Sequence, residues 1–150
     1  MIRQDLTYNT VMEVIKNKSD KYTLGIDNML PYIDGYLVPG SSMAVIDNNK
    51  PVAAFGIFPL WDGVGEAWMI PSKYHLEKPI SLARHLKKGF FEIAENMKLR
   101  RAQAAVKDSY DMGSKLLKFV GFEFEGDMPQ YGPDGNDYKR FAVLWQTSYQ

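Results

Sequence analysis

The apolar residues of positions 80–97 recur at steps of three and four over about five turns, the strongest structural signal in the chain. They are Ile80, Ala83, Leu86, Phe90, Ile93, Ala94 and Met97, and charged residues such as Arg84, Lys87 and Glu92 lie between them. This spacing predicts an amphipathic helix that begins at Pro79, a residue suited to the first helical turn. Because such a helix has to bury its apolar face, the flanking segments must supply an apolar surface.

Short apolar runs on both sides of this helix predict strands that supply the surface. Before the helix they are Ser42–Ile46, Val52–Phe58 and Glu66–Ile70, and after it Arg101–Val106, Phe122–Gly126 and Tyr138–Gln146. Turn-forming residues in Asp47–Pro51, Trp61–Gly65 and Gly132–Gly135 separate neighbouring runs. In the last strand, Phe141, Val143 and Trp145 are expected on one side.

Three further segments have helical patterns. Tyr8–Lys18 is expected to start from Asn9 or Thr10 as a cap, and Gly25–Asp34 gives a weaker pattern because of its proline. Ser109–Phe119 is expected to turn its apolar residues inward and to end at Gly121. Those apolar residues are Met112, Leu116, Leu117 and Phe119.

The order of elements is strand, helix, helix, three strands, long helix, strand, helix and two strands. A mixed order of this kind favours an α/β (α+β mixed) fold with one central sheet and helices on both faces. With 150 residues, positions 1–150 are expected to form one domain.

Composition excludes several classes of function. Hydrophobic residues make up 45% of the chain, too many for a disordered protein, and no apolar run approaches the roughly 20 residues that a membrane span needs. Eighteen basic and 18 acidic side chains balance, and the aromatic residues do not alternate with a basic patch. Neither a nucleic acid nor a membrane is therefore an expected partner.

The chain offers little for metal or thiol chemistry. It has no cysteine, and its two histidines, His75 and His85, have no nearby carboxylate spacing typical of a metal site, so no metal is expected. The first five residues contain no apolar stretch, which predicts that no secretory signal is present and that synthesis is cytoplasmic.

The segment Leu116–Gly126, with its helix ending in a Gly-Phe pair before a strand, and the order of elements both resemble the GNAT N-acetyltransferase superfamily. The likeness covers essentially the whole chain. It implies a mostly antiparallel, twisted sheet of about six to seven strands that splays between the fourth and fifth strands.

A narrower likeness is to phage-encoded members of this superfamily, including the internal virion protein of short-tailed phages. It rests on Glu66–Ser72, with its Trp and Ile-Pro, and on the Tyr-Gly-Pro-Asp-Gly-x-Asp-Tyr segment Tyr131–Tyr138. The resemblance implies synthesis in a host cytoplasm and incorporation in a virion. The implied partners are phage structural proteins or further copies of the chain.

The superfamily resemblance also implies a site for acetyl-CoA or another acyl-CoA, with its pyrophosphate on backbone N–H groups that open the long helix. Where the family has Gly-x-Gly, this chain has Pro79-Ile80-Ser81. Proline has no N–H, and losing one charge-assisted donor costs about 1.5–3 kcal/mol, or one to two decades of affinity. Lys73, Lys78, Ser81 and Arg84 are the candidate phosphate contacts in its place, unless they are ordinary surface residues.

In the resemblance, the splayed fourth and fifth strands hold the pantetheine arm, for which Met69 and Ile70 are the candidate contacts. Amine acetylation needs a base and an acid. Glu66 is the candidate base, with Trp61 and Trp68 as neighbours that would raise its pKa, or else it is a solvated glutamate at the strand start. Leu117 stands where the family often has its acid, so Tyr110 is the substitute candidate, or else a packing residue.

Two functions follow as hypotheses. The favoured one is a virion-associated structural or interaction protein that keeps the fold with a degenerate phosphate loop. The alternative is an active acyl-CoA-dependent N-acyltransferase that transfers an acetyl group to a primary amine substrate.

Overall fold

A computed structural model describes residues 1–19 and 30–145, and seven strands form one sheet in it. The strands are β1 (Ile2–Asp5), β2 (Ser42–Asp47), β3 (Lys50–Trp61), β4 (Val64–Pro71), β5 (Arg101–Lys107), β6 (Glu123–Met128) and β7 (Tyr138–Leu144). Their order in the sheet is β1-β2-β3-β4-β5-β7-β6. Every adjacent pair is antiparallel except β4 and β5, which run parallel.

The described residues include four α-helices, α1 (Tyr8–Lys16), α2 (Ile33–Tyr36), α3 (Pro79–Met97) and α4 (Asp111–Val120). A 3-10 turn at Leu30–Tyr32 precedes α2. Helices α1 and α2 pack on one face of the sheet, and α3 and α4 pack on the other. The predicted mixed α/β fold with a mostly antiparallel central sheet and helices on both faces is therefore confirmed.

Alternation along the strands divides the core into two apolar clusters, because successive side chains point to opposite faces. The larger cluster lies under α3 and α4 and includes Phe55, Leu86, Ile93 and Phe141. Val143 and Trp145 pack against it as expected. The smaller cluster lies under α1 and α2, and its buried members are Leu6, Val11, Val14, Ala44, Ala54 and Ile70.

Three residues predicted to face the core are exposed. Ile80, in the first turn of α3, is 67% exposed, and Met112 and Phe119 of α4 are each 47% exposed. Helix α4 is short and has Gly113 as its buried residue, and its apolar residues Leu116, Leu117 and Val120 pack against the core. The apolar pattern identified the helices correctly but overestimated the width of their buried faces.

Several predicted ends of helices and strands differ from those in the structure. Helix α1 starts from Thr7, whose Oγ1 accepts a hydrogen bond from the Thr10 amide at 3.2 Å, so Asn9 and Thr10 were the wrong caps. The turn between β2 and β3 is only two residues long because Asn48 and Asn49 both adopt positive φ, which asparagine tolerates. Part of the predicted helix 25–34 and the predicted strand end at Gln146 lie outside the described residues.

Helix α3 approaches β3 closely at Gly89. A Cβ atom at this position would overlap Cζ of the buried Phe55 ring and lie 2.7 Å from its Cε2. Glycine is unfavourable in a helix interior by about 1 kcal/mol relative to alanine, so its presence here reflects the space available.

We therefore expect Gly89→Ala to lower the free energy of unfolding by about 1–2 kcal/mol, since overpacking by one methyl group exceeds the gain in helix propensity. Chemical denaturation measures the change. Gly126→Ala is the control, because nothing lies within 4 Å of a Cβ atom there. Adding Phe55→Leu should recover part of the loss; strictly additive effects would show that Gly89 and Phe55 are not in close contact.

Candidate functional site

The site is organised by a gap between β4 and β5. The two strands pair at only three positions, Val64 with Arg101, Gly65 with Ala102 and Glu66 with Gln103. Beyond these, β4 continues to Pro71 and β5 to Lys107 without pairing with each other. The splay predicted between the fourth and fifth strands is confirmed.

Beyond the three paired positions, the two strands have different surroundings. At the far end of β4, the Ser19 amide donates to the Pro71 carbonyl at 3.1 Å, and the Lys73 amide donates to the Asn17 carbonyl at 2.7 Å. The chain that follows α1 thus occupies the side of β4 that β5 would otherwise take. Strand β5 pairs through its other edge with β7 along its whole length, as far as Lys107 opposite Tyr138.

Backbone groups of β4 point into this gap. The Ser72 amide donates to Val52 of β3 at 2.9 Å, so alternation turns the N–H and C=O groups of Ala67 and Met69 away from β3. Met69 is therefore well placed for its predicted contact with pantetheine. Ile70 pairs with β3, and its side chain is only 3% exposed within the smaller core, so its predicted role has no surface in the gap.

Glu66 lies at the point where the gap begins. Its Oε2 atom is buried and has no hydrogen-bond partner, and the same holds for Nε1 of Trp68, two residues further on the same strand face. Burial raises the pKa of Glu66, and the Gln103 amide and the guanidinium groups of Arg140 and Arg101 oppose this rise. The interpretation of Glu66 as a solvated glutamate is therefore wrong.

Aromatic side chains form a wall beside Glu66. The Tyr36 ring of α2 packs edge-on against Trp68 at 5.3 Å and lies 4.8 Å from the Phe58 ring. Burial raises the pKa of the Tyr36 hydroxyl, and the negative charge of Glu66 raises it further. Trp61, expected to help bury Glu66, lies at the hairpin end and is 64% exposed.

Tyr131 belongs to the loop between β6 and β7, which is anchored at the end of β5. Asp134 accepts hydrogen bonds from the Asn136 amide at 3.0 Å and from Lys107 Nζ at 3.1 Å, and these contacts lower the pKa of Asp134 to about 2. The Tyr131 ring lies 5.5 Å from the Tyr138 ring. A polar groove of about 250 Å³ runs beside the loop along Lys107–Ser109 and Gly135–Asp137, and Glu66 does not line it.

The start of α3 offers fewer donors than a glycine loop. Pro79 is the first helical residue and has no N–H, and the first helical bond runs from the Leu82 amide to the Lys78 carbonyl at 3.0 Å. The amides of Ile80 and Ser81 therefore lack helical partners. Two backbone donors therefore remain at the start of α3.

The predicted cations surround this helix start but are not equally available. Lys78 Nζ lies 2.8 Å from Asp47 Oδ2, whose carboxylate also contacts the N-terminal ammonium of Met1 at 3.3 Å. Lys73 is exposed, with its Nζ 5.3 Å from the Tyr74 ring centre. Arg84 is exposed one turn along α3 and makes no ion pair within the described residues.

Tyr110 occupies the N-cap position of α4, just beyond β5. It packs against the larger core, close to Val106 and Gly113, and Leu117 contacts the same cluster. Glu66 and Tyr110 therefore lie on opposite faces of the sheet. The roles predicted for both residues stay predictions.

The described residues give little support for a metal site or a membrane span. Across residues 1–19 and 30–145, no group of three acidic, histidine or cysteine side chains is arranged to hold a metal. His75 Nδ1 lies 2.8 Å from the Ser72 carbonyl, and His85 Nδ1 lies 2.8 Å from an Arg3 nitrogen. None of the described helices has the length and apolar character to cross a membrane.

Sequence reasoning missed Tyr36, Gln103 and Arg140 as neighbours of Glu66. All three reach it through sheet register and helix packing over long sequence separations, which hydrophobic periodicity does not encode. Tyr131 and Tyr138 lie at the two ends of the turn-rich segment that the sequence analysis had singled out.

Comparison with solved structures identifies the fold. The chain superimposes with a TM-score of 0.74 on a GNAT-family acetyltransferase from Streptococcus pneumoniae, at 14% identity over 97% of this chain and 99% of that one. It superimposes with a TM-score of 0.73 on a point mutant of the spermidine N-acetyltransferase SpeG from Vibrio cholerae, at 13% identity over 95% of this chain and 92% of that one. The TM-score is also 0.73 for yncA from Salmonella typhimurium, solved with its cofactor acetyl-CoA, at 15% identity over 100% of this chain and 96% of that one.

No family model and no curated protein matches the sequence. The structural comparisons provide no link to phage proteins or to the internal virion protein of short-tailed phages. At these identities the likeness concerns the fold alone. The chain has the GNAT acetyltransferase fold.

Proposed function

We propose that this protein is an acyl-CoA-dependent N-acyltransferase that transfers an acetyl group to a primary amine. The observation that carries the proposal is Glu66, a half-buried carboxylate whose Oε2 atom has no partner, at the point where β4 and β5 separate. Perturbed, unpaired carboxylates in such positions are typical of general bases.

The gap fits the extended, amide-containing arm of an acyl-CoA. The Ala67 and Met69 backbone groups would pair with it much as a neighbouring strand does. At the other end, the amides of Ile80 and Ser81, helped by Lys73 and Arg84, would hold the phosphates. The bound acyl-CoA supplies an acyl group activated as a thioester.

Glu66 accepts the proton that the acceptor ammonium loses. The freed lone pair on nitrogen then forms the C–N bond while the C–S bond breaks. A raised pKa brings the carboxylate closer to the basicity that this proton transfer requires. Tyr110 remains the predicted donor of the proton that the leaving sulfur takes up.

The acceptor would approach over the face that carries α1 and α2. Tyr36, Trp68 and Tyr131 line the approach to Glu66, and aromatic faces favour a cation such as an ammonium group. The unpaired Trp68 N–H adds one hydrogen-bond donor for the acceptor.

A virion-associated structural role rests on the sequence resemblance only. A purely structural protein gains nothing from a buried carboxylate without a partner, which destabilises a fold. The structural neighbours therefore favour the enzyme hypothesis at the level of the fold, and the measurements below separate the two functions.

Purified protein should bind acetyl-CoA saturably in isothermal titration calorimetry. Pro79→Ala restores the missing N–H and should tighten binding by about 10- to 100-fold, the value of one charge-assisted hydrogen bond. Pro39→Ala, at an exposed loop proline, is the control. No heat of binding at millimolar acetyl-CoA would overturn the proposed function.

Glu66→Gln should lower kcat by about 10²–10⁴, because the base is lost while its shape is kept. Thiol release from acetyl-CoA with an amine acceptor measures the rate, and circular dichroism checks folding. Wild-type activity should rise with pH through the raised pKa of Glu66, and the variant should lack this limb. Glu95→Gln, at an exposed position of α3, is the control; full turnover in Glu66→Gln would exclude Glu66 as the base.

The same variant should be more stable than the wild type at neutral and alkaline pH. Because burial raises the pKa of Glu66 above its ordinary value of 4.5, the ionised carboxylate destabilises the folded state above that pKa. Below pH 4.5 the carboxyl group is protonated in both states and the difference vanishes. Thermal melts of both proteins at pH 4 and pH 8 test this; equal Tm values at pH 8 would contradict it.

A further inference from the structure

The guanidinium group of Arg140, which forms no ion pair with the described residues, lies beside the approach of the acceptor. Arg140 of β7 lies opposite Ala105 of β5, while Gln103 lies opposite both Ala142 of β7 and Glu66 of β4. Paired residues share a face, and residues two apart on one strand share it too. Arg140 therefore lies on the same face as Glu66, next to the part of β5 that has separated from β4.

The other cations on this face have carboxylate partners. Arg101 contacts Glu125 through two hydrogen bonds, at 2.6 and 2.8 Å, and Lys107 contacts Asp134 at 3.1 Å. Arg140 is half-buried, yet it makes neither an ion pair nor a side-chain hydrogen bond with any described residue. Its five N–H donors in a planar fork are thus available to a ligand.

The side chains next to Arg140 are small on three sides. Ala105 lies across on β5, Ala142 lies two residues along β7, and the partner on β6 is Gly126. Nothing lies within 4 Å of the position that a Cβ atom would take at Gly126. Tyr138 is the large neighbour on the remaining side, so a ligand group can reach the guanidinium over the small residues without displacing a large side chain.

The charges on this face define what an acceptor must carry. Glu66 provides one negative charge for an ammonium, and Arg140, whose positive charge acts on Glu66, provides the matching cation. Glu125 is already neutralised by Arg101. Two strand spacings and two residues place the Cα atoms of Glu66 and Arg140 about 12 Å apart, so their side chains can hold the two ends of one small molecule.

We propose that the acceptor is a small primary amine that also carries a carboxylate or a phosphorus oxyanion. Its ammonium group lies at Glu66, and its oxyanion makes a two-pronged hydrogen bond with Arg140. Arginine suits this role because its fork matches the geometry of such groups. A polyamine does not fit, because its second ammonium group would meet the like charge of Arg140. The inference rests on the proposed function and specifies its substrate class.

Matched acceptors test the proposal. Acetylation of 4-aminobutanoate is compared with that of 1,4-diaminobutane, of methionine with methioninamide, and of 2-aminoethylphosphonate with ethanolamine. In each pair we expect a kcat/KM at least tenfold higher for the member that bears the oxyanion, because a hydrogen-bonded charge pair contributes this much.

Substitution of Arg140 should lower that preference. In Arg140→Ala the ratio of kcat/KM between paired acceptors should fall about 10- to 100-fold, and Arg140→Lys should keep part of it as a point charge. Lys139→Ala is the matched control, because Lys139 lies on the opposite face and pairs with Asp108 at 3.3 Å. Circular dichroism melts show whether each variant is folded.

Binding provides a readout that does not need turnover. The oxyanion-bearing amines should raise the Tm of the wild type in thermal-shift assays, and Arg140→Ala should abolish that shift. If 1,4-diaminobutane is acetylated in preference, or if Arg140→Ala keeps the wild-type ratio, the acceptor proposal is overturned while the proposed function stands. If acetyl-CoA does not bind, the proposed function fails, and an Arg140-dependent Tm shift would still support the oxyanion site.

Discussion

The separation of β4 from β5 is the constraint on which the rest of the molecule depends. Parallel strands normally pair along their length, and here the pairing stops after Glu66. Asn17–Ser19 takes the open side of β4, whereas β7 pairs with the other edge of β5 and leaves the edge towards β4 open. Unpaired backbone groups of β4 then point into the gap, and an unpaired amide or carbonyl needs water or another partner. The proposed binding of an acyl-CoA rests on this gap.

Glu66 lies at the last position where β4 and β5 pair, opposite Gln103. Its side chain is half-buried, with one carboxylate oxygen unpartnered among the described residues. Burial raises its pKa without neutralising it through an ion pair, since Arg101 is held by Glu125. The proposed role of Glu66 as a base would therefore come with a loss of stability above the raised pKa, a trade-off expected at catalytic sites.

Local patterns in the sequence predicted the helices, the strands and the sheet class well. The period and length of an apolar pattern depend on residues that are close in sequence, so they predict local structure. The end of α4 is an example, because Gly121 ends this helix with a φ of 115°, as predicted for a glycine there. The site was predicted less completely. Glu66 stood out as the acid of its strand, but Tyr36 and Arg140 join it only through packing across the sheet. Ile70 was predicted to contact the pantetheine arm in the gap, but the register of the sheet pairs its backbone with β3.

The start of α3 suggests how such a site works without a glycine loop. Pro79 fixes the first turn, and Asp47 ties Lys78 and the N-terminal ammonium to it, so this end is rigid but poor in donors. A rigid helix end loses little conformational freedom on binding, which offsets part of the missing hydrogen bond. In the proposed function, more of the affinity for an acyl-CoA would then have to come from the backbone edge at Ala67 and Met69. Because that edge lies next to Glu66, the binding energy would be concentrated where the acyl group has to be positioned, and positioning is what raises kcat.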